Sequence, residues 1–189
     1  GLSKNTLVIY TSDNGPWNQD KYTKKKKGHP KGSIFWGDSG PLRNGKGSCY
    51  EGGYRLPCIV RWPGKVPAGR VSDAIFATID FLPTFANLCG FKTPDDRVID
   101  GIDQTDLLLG KSDKGREIFY FDRAGIRKGK WKYLKANAHF YGYAREDDRP
   151  LEEELYDLEV DLGETKNFAK KHPEIVGELK KLMQTVENR

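Results

Sequence analysis

The stretch Thr-Leu-Val-Ile-Tyr-Thr-Ser-Asp-Asn-Gly-Pro, residues 6–16, decides how the rest of the chain is interpreted. Residues 7–10 form an apolar, β-rich run that is too short for a typical helix and ends at polar, turn-forming residues. The run predicts a buried strand, and a strand that is apolar on both faces is typical of the middle of a parallel sheet covered by helices. Ligands of such sheets bind just beyond the carboxyl ends of the strands, which is where Asp13 and Asn14 fall.

Asp13 and Asn14 offer a carboxylate and an amide oxygen, which are hard donors suited to Ca²⁺ or Mg²⁺. Asn-Gly is also a common turn signal, so on these residues alone a simple turn is favoured. A second cluster shifts the balance. It places Lys46 between Gly45 and Gly47, where the backbone can pass close to a ligand and the ammonium group can reach it. The two clusters together favour an anion site that includes a metal.

The order of these motifs carries a family resemblance. Ser-Asp-Asn-Gly-Pro followed by Leu-Arg-Asn-Gly-Lys-Gly-Ser-Cys-Tyr-Glu-Gly-Gly-Tyr-Arg-Leu-Pro resembles the second half of a sulfatase of the arylsulfatase A type, in the alkaline phosphatase superfamily. The resemblance continues through Arg-Trp-Pro-Gly at 61–64, Ile-Asp-Phe-Leu-Pro-Thr at 79–84, Asp-Gly-Ile-Asp at 100–103, Gly-Lys-Trp-Lys-Tyr at 129–133 and Glu-Leu-Tyr-Asp-Leu at 154–158. It covers nearly the whole chain, in the family's order, and corresponds to the carboxyl-terminal half.

The resemblance implies an α/β fold in two parts. Residues 1–110 are expected to be the C-terminal part of the catalytic domain, within an alkaline-phosphatase-like sandwich of a mostly parallel sheet with flanking helices. Residues 111–189 are expected to form a subdomain with a small antiparallel sheet packed on a C-terminal helix. Apolar periodicity and turn residues predict the individual elements. The strands are predicted at 59–62, 117–121, 124–127, 131–134 and 154–158, and the helices at 80–89, 103–109 and 173–186.

The resemblance also implies the chemistry. Sulfatases of this type hydrolyse sulfate esters with a formylglycine, made after translation from the first residue of a Cys/Ser-x-Pro/Ala-x-Arg motif, and with a bound Ca²⁺. On the family pattern Asp13 and Asn14 are two of the metal ligands, and Lys46 contacts the sulfate. None of the three cysteines begins the motif, so the nucleophile is expected in a missing N-terminal half, which could be a separate chain. We therefore expect the isolated chain to be inactive and to bind Ca²⁺ weakly, because two oxygens fall short of six to eight donors.

Composition adds few constraints. The 189 residues carry a net charge of +5, which suits an anionic substrate but does not require one. No apolar stretch approaches the roughly twenty residues of a membrane span. With no Asn-x-Ser/Thr acceptor site, a periplasmic or secreted bacterial sulfatase is expected rather than a glycosylated lysosomal one. The lysine run Lys24–Lys27 could steer an anionic substrate or form a solvated face, and no nucleic-acid partner is expected because no reading motif accompanies it.

Two other functions stay open. A phosphatase or phosphodiesterase of the same superfamily would share the fold, but in those enzymes histidine often follows the aspartate, and here Asn14 follows Asp13. A noncatalytic remnant could bind a partner through an exposed sheet edge, and it would then form an oligomer or complex in solution. A Cys/Ser-x-Pro/Ala-x-Arg motif in an upstream sequence or in a second chain would settle the class.

Overall fold

The computed structural model describes residues 1–17, 37–138 and 150–188, in which the chain folds into two compact units. The first contains Gly1–Thr11 and Cys58–Phe119, and the second contains Ser12–Pro57 and Tyr120–Arg189. These units are not the predicted domains 1–110 and 111–189, which stay a prediction about the division of the whole enzyme. The lysine run at 24–27 lies outside the described residues.

The first unit contains a two-stranded antiparallel sheet. Strand β1, Val8–Thr11, pairs with β2, Cys58–Arg61, and Tyr10 lies opposite Ile59. The sequence predicts β1 as a buried strand in a parallel sheet, and this is wrong for the described residues. Val8 is 49% exposed, Tyr10 67% and Ile59 62%, and the neighbouring strand runs antiparallel. An apolar run predicts a preference for burial, but it does not fix the direction of the strand beside it.

Two helices of the first unit agree with the prediction. Helix α2, Phe81–Leu88, follows a turn of 3₁₀ helix at Thr78–Asp80, and α3 spans Thr105–Leu108. Helix α2 ends at Leu88, and Gly90, two residues later, has a φ of +74°, which suits glycine after a helix end. The sequence predicts Asp80 or Thr78 as the cap of this helix, but no side-chain cap bond is formed there. The Asp80 side chain is wholly buried, and its carboxylate accepts the backbone amides of Ala77 and Ile102 instead.

The second unit contains the predicted small antiparallel sheet. Its strand order is β3 (Ile118–Tyr120), β4 (Gly125–Lys128), β5 (Trp131–Leu134) and β6 (Glu154–Asp157). Strand β5 pairs antiparallel with both β4 and β6. Gly129, with a φ of +56°, allows the tight turn between β4 and β5.

Two further helices belong to the second unit. Helix α1 is a single turn, Glu51–Tyr54, and helix α4 spans Pro173–Glu187. Helix α4 packs against β4 and β5 with an apolar stripe whose buried members are Val176, Leu179 and Met183. This confirms the predicted packing of the small sheet on a C-terminal helix. Within the described ranges, neither α4 nor any shorter helix is long and apolar enough to cross a membrane.

Candidate functional site

The predicted metal ligands lie in a turn just after β1. The Ser12 hydroxyl donates to the backbone carbonyl of Asn14 at 2.9 Å, which holds the turn locally. Asp13 is exposed, Asn14 is half-buried and Gly15 is buried. Two oxygen-bearing side chains therefore stand at the carboxyl end of a strand, and the carboxylate remains open to solvent.

Lys46 lies on a loop of residues 43–53, the Lys46 loop, whose backbone needs special conformations. Asn44 has a φ of +59° and Gly47 a φ of +88°, both in the left-handed region, and the Ser48 amide donates to the Gly45 carbonyl at 3.1 Å. The Lys46 side chain is exposed, and its Nζ lies 5.5 Å from the centre of the Trp17 ring. This distance lies within the range of a cation–π contact, so the ammonium has a neighbour next to the metal-ligand turn.

Two backbone hydrogen bonds join the turn to the Lys46 loop. The Lys46 amide donates to the Pro16 carbonyl at 2.9 Å, and the Gly15 amide donates to the Gly53 carbonyl at 3.0 Å. Pro16 follows Asp13 by three positions, so the chain can place their Cα atoms at most about 11 Å apart. The structure therefore brings the two predicted clusters side by side. Their convergence on one anion stays a prediction.

The donor chemistry of the turn fits part of a calcium site. Asp13 and Asn14 supply two hard oxygens, against the six to eight that Ca²⁺ takes. Among residues 1–17, 37–138 and 150–188, no group of three or more His, Cys, Asp or Glu side chains could hold a metal ion. The kind of donor therefore suits calcium, whereas the number does not complete a site, and the predicted metal role of these residues stays a prediction.

A Gly15→Ala substitution tests the close contact of the two segments. An added Cβ at residue 15 would lie 1.8 Å from the Gly52 carbonyl oxygen, so the backbone must move apart. We expect the free energy of unfolding to fall by about 1–3 kcal/mol, as for overpacked sites, in a urea titration followed by circular dichroism. Gly177→Ala is the matched control. It lies in α4 with open space around its Cβ position, and it should stabilise the chain by about 0.5–1 kcal/mol. Equal effects of the two substitutions would contradict the close contact.

A buried ionic network includes Glu51, near the end of the Lys46 loop. Lys132 Nζ is 2.9 Å from an oxygen of Glu51 and 2.9 Å from an oxygen of Glu164, and all three side chains are almost completely buried. Arg127 adds a second cation, 3.5 Å from the other Glu51 oxygen. Two carboxylates therefore face two cations, which balances the formal charge of the cluster in a site shielded from water.

Burial and charge act against each other on the two carboxyl groups. Burial alone would raise the pKa of Glu51, but Lys132 and Arg127 outweigh it, and this pKa is lowered. For Glu164 burial prevails over Lys132, and its pKa is raised. Burial also raises the pKa of the nearby Cys49 thiol to about 12, so this thiol is protonated near neutral pH.

Arg43 links the start of the Lys46 loop to the same region. Its Nη1 donates to the Tyr156 hydroxyl at 2.8 Å and to the Glu164 carbonyl at 3.0 Å, and its guanidinium lies 3.7 Å from the centre of the Tyr50 ring. The Tyr50 hydroxyl in turn donates to Glu154 at 2.8 Å. The loop is therefore fixed to the C-terminal part of the chain by charged and aromatic contacts.

The sequence reasoning missed the residues of this network. Lys132 follows Trp131 in a strand, and nothing in its spacing distinguishes a buried lysine from an exposed one. Glu51 lies in the motif Gly-Ser-Cys-Tyr-Glu-Gly-Gly at 47–53, and this pattern does not indicate a role for its charge. The available signal was a lysine between two aromatic residues, in a strand that must pack against a helix.

The chain is similar in sequence to known sulfatases. A profile of the Sulfatase family matches residues 1–91. The N-acetylgalactosamine-6-O-sulfatase of Bacteroides thetaiotaomicron is 37% identical, over 100% of this chain and 37% of that protein. Arylsulfatase A of Homo sapiens is 35% identical, over 96% of this chain and 38% of that protein.

Solved structures agree with the sequence matches. A structure from work on the metabolism of multiple glycosaminoglycans by Bacteroides thetaiotaomicron has a TM-score of 0.80 at 37% identity, covering 100% of this chain and 40% of that chain. A sulfatase from Pseudoalteromonas sp. has a TM-score of 0.77 at 27% identity, covering 100% and 38%. The chain spans 37% of the first sequence relative and 40% of the first structure. These similarities confirm the predicted α/β, alkaline-phosphatase-like fold class. The chain belongs to the sulfatase family.

Proposed function

We propose that this chain forms part of the active site of a sulfuric ester hydrolase, in which Asp13 and Asn14 bind Ca²⁺ and Lys46 binds the sulfate group. The observation that carries the proposal is the backbone pairing of the two segments, Lys46 amide to Pro16 carbonyl and Gly15 amide to Gly53 carbonyl. It lets side chains from both segments face the same anion. The membership of the sulfatase family supports the choice of a sulfate ester as substrate.

In this proposal Lys46 acts through its charge. The ammonium group binds the nonbridging oxygens of the sulfate and offsets negative charge as the bridging bond to the leaving group breaks. The exposed Lys46 side chain can reach a substrate that approaches from solvent. The backbone is held by the Lys46 amide, which donates to the Pro16 carbonyl, and by the Gly45 carbonyl, which accepts the Ser48 amide. Held in this way, the cation needs little rearrangement when charge develops.

Asp13 and Asn14 would hold the metal in the same proposal. A bound Ca²⁺ supplies positive charge that polarises the sulfate and orients it. The adjacent positions of the two residues let both oxygens approach one ion from the same turn, and the exposure of Asp13 leaves that ion open to substrate. The remaining oxygen donors would come from polypeptide outside these 189 residues.

We also propose that the nucleophile is supplied from outside this chain. None of the three cysteines begins a Cys/Ser-x-Pro/Ala-x-Arg motif, and the chain spans 37% of the Bacteroides thetaiotaomicron relative. Residues 39–43, Ser-Gly-Pro-Leu-Arg, have the spacing of the motif, but there the Ser39 hydroxyl donates to the carbonyls of Leu42 and Asn44, and Arg43 donates to Tyr156 and Glu164. The isolated chain should therefore have no sulfatase activity. A polypeptide carrying the motif, either continuous with this chain or separate from it, would complete what we call the assembled enzyme.

The test compares the isolated chain with the assembled enzyme, using 4-nitrophenyl sulfate and N-acetylgalactosamine 6-sulfate. We expect turnover only from the assembled enzyme. Lys46→Ala should lower its kcat/KM about 10²- to 10³-fold, the usual cost of losing one group that stabilises developing charge. The matched control is Lys65→Ala, in the other unit, which should leave kcat/KM unchanged. Turnover by the isolated chain would refute the missing nucleophile, and equal activity of the two lysine variants would refute the role of Lys46.

A noncatalytic, partner-binding domain is the second candidate, and one observation favours it. Val8, Tyr10 and Ile59 are exposed on the β1–β2 sheet, and Tyr10 and Ile59 lie directly opposite each other across the two strands. Contiguous exposed apolar side chains mark surfaces that bind other polypeptide. A stable complex with a partner, combined with no turnover in the assembled enzyme, would favour this candidate.

The location of the protein belongs to the proposal as well. We propose a periplasmic or secreted protein, in agreement with the expectation from the sequence. Fractionation of the source cells followed by detection of the chain with a specific antibody tests it, and recovery only from the cytoplasm would contradict it.

A further inference from the structure

Glu164 combines burial with a strained backbone. Its side chain is only 1% exposed, and its φ of +53° lies in the left-handed region, which residues with a side chain adopt rarely. Asp161 stabilises the turn that contains Glu164, because its carboxylate accepts the amides of Thr165 and Lys166 at 2.8 Å each. Such a conformation persists only where the surrounding contacts hold it, so the position of Glu164 has a specific use.

Glu164 forms hydrogen bonds with both ends of the Lys46 loop, and we call this pair of contacts the grip. Its Oε2 accepts the backbone amide of Glu51 at 2.7 Å, and its backbone carbonyl accepts Arg43 Nη1 at 3.0 Å. Arg43 lies three residues before Lys46, and Glu51 lies five residues after it. One residue, far away in sequence, therefore ties together the two ends of the loop.

Lys132 gives the grip its charge balance. Its Nζ lies 2.9 Å from Glu51 and 2.9 Å from Glu164, so it draws the two carboxylates together although they would otherwise repel each other. The Glu51 amide and the Glu51 carboxylate are thus both held, the first by Glu164 and the second by Lys132. The start of helix α1 cannot shift without breaking both contacts.

We propose that Glu164 is a positioning residue for the sulfate-binding site, which fixes the loop of residues 43–53 so that Lys46 is presented in one conformation. The loop in turn contacts the metal-ligand turn through the Lys46 amide and the Pro16 carbonyl, so the same grip also fixes the turn that carries Asp13. The consequence for catalysis rests on the function proposed above, whereas the contacts of Glu164 with the loop do not depend on that function.

The first experiment measures the grip itself, by amide hydrogen exchange in the 189-residue chain. In Glu164→Ala the amides of Lys46, Glu51 and Gly52 should lose at least tenfold more protection than those of β5. In Glu164→Gln, whose amide oxygen can still accept from Glu51, most of that protection should return. Leu179→Ala, a buried site of helix α4, is the control for general destabilisation and should not single out the loop. Unchanged loop protection in Glu164→Ala would overturn the proposal. If Glu164→Ala does not fold, the outcome rests on Glu164→Gln, whose loop must then exchange faster than in the unmodified chain while β5 does not.

The second experiment measures the effect on the reaction, in the assembled enzyme at a temperature where all variants are folded. Glu164→Ala should lower kcat more than tenfold, Glu164→Gln should recover at least half of that loss on a logarithmic scale, and Leu179→Ala should keep normal kcat. Faster loop exchange with a kcat that neither Glu164→Ala nor Lys46→Ala changes would refute the proposed function and leave the grip standing. A kcat lowered by Lys46→Ala but not by Glu164→Ala would refute the positioning role alone.

Discussion

Lys132→Met is expected to lower the free energy of unfolding by about 3–5 kcal/mol at pH 7, the range measured when one partner of a buried ion pair is removed. The methionine fills most of the space of the lysine stem. However, it leaves Glu51 and Glu164 buried and close together without the ammonium that lies 2.9 Å from each. Arg127, 3.5 Å from Glu51, and the charge of Arg55 would still offset part of their charge. A urea titration followed by circular dichroism measures the loss.

The free energy of unfolding of Lys132→Met should depend on pH in a direction that follows from its buried carboxyl groups. Without Lys132, Glu51 loses the largest charge that lowers its pKa, and burial raises the pKa of Glu164 further above the unfolded value of about 4.3, as in carboxyl groups buried without a cation. Such groups stabilise the fold below that value and lose their contribution as the pH rises through the folded pKa. The variant should therefore be more stable at pH 5 than at pH 7, and its deficit should narrow as the pH falls. Lys170→Met, at an exposed pair with Glu152, is the control and should change nothing measurable. A pH-independent deficit would contradict the buried network.

Asp80→Ala is expected to cost a similar amount, about 3–5 kcal/mol, in the other unit. The wholly buried Asp80 carboxylate accepts the amides of Ala77 and Ile102 at 2.9 Å each, Gln104 Nε2 at 3.3 Å and Arg116 Nε at 3.2 Å, and it also pairs with Arg116 Nη2. Truncation leaves a largely buried guanidinium and two amides without this acceptor. The same urea titration detects the loss, and Asp80→Asn, which keeps an acceptor but not the charge, should lie between Asp80→Ala and the unmodified chain.

The pH dependence of Asp80 has the opposite sign. Burial alone would raise its pKa, but hydrogen bonds from Arg116 and from the amides of Ile102 and Ala77 outweigh burial, and the pKa is lowered. The stability that Asp80 contributes is therefore present above the unfolded pKa of about 3.9 and is lost as the pH falls below it toward the folded pKa. Asp80→Ala should lack this acid-induced loss. Asp96→Ala, at an exposed pair with Arg97, is the control. A deficit for Asp96→Ala equal to that of Asp80→Ala would sink this account of Asp80.

Local elements of the fold could be predicted because their patterns are local. The turn residues around Gly129 and the stripe of Val176, Leu179 and Met183 fix a hairpin and a helix within a few residues. The surroundings of β1 could not be predicted, because a run such as Leu-Val-Ile-Tyr has the same composition in a parallel sheet and beside an antiparallel neighbour. The burial of Tyr10 also depends on what covers it, and its own sequence does not contain that information.

The candidate site divides in the same way. Asp13, Asn14 and Lys46 were found because their residue types and flanking glycines point to a ligand, and because the family resemblance assigns them roles. Glu164 and Lys132 were missed because their role depends on contacts with Glu51, which lies 113 and 81 positions away from them, and no local spacing encodes such contacts. The proximity of the two segments also depended on tertiary contact, through the pairing of Gly15 with Gly53.

The interleaving of the two units has a consequence for how the protein is made. Residues 12–57 reach their compact partner only when residues 120–189 have been synthesised, because both belong to the same unit. During translation the ribosome therefore releases Asp13, Asn14 and Lys46 long before Glu164 exists to hold their loop. A nascent chain that stalls before Glu164 carries every residue of this chain that is assigned to sulfate and calcium, yet it lacks the Glu164 contacts that hold their loop.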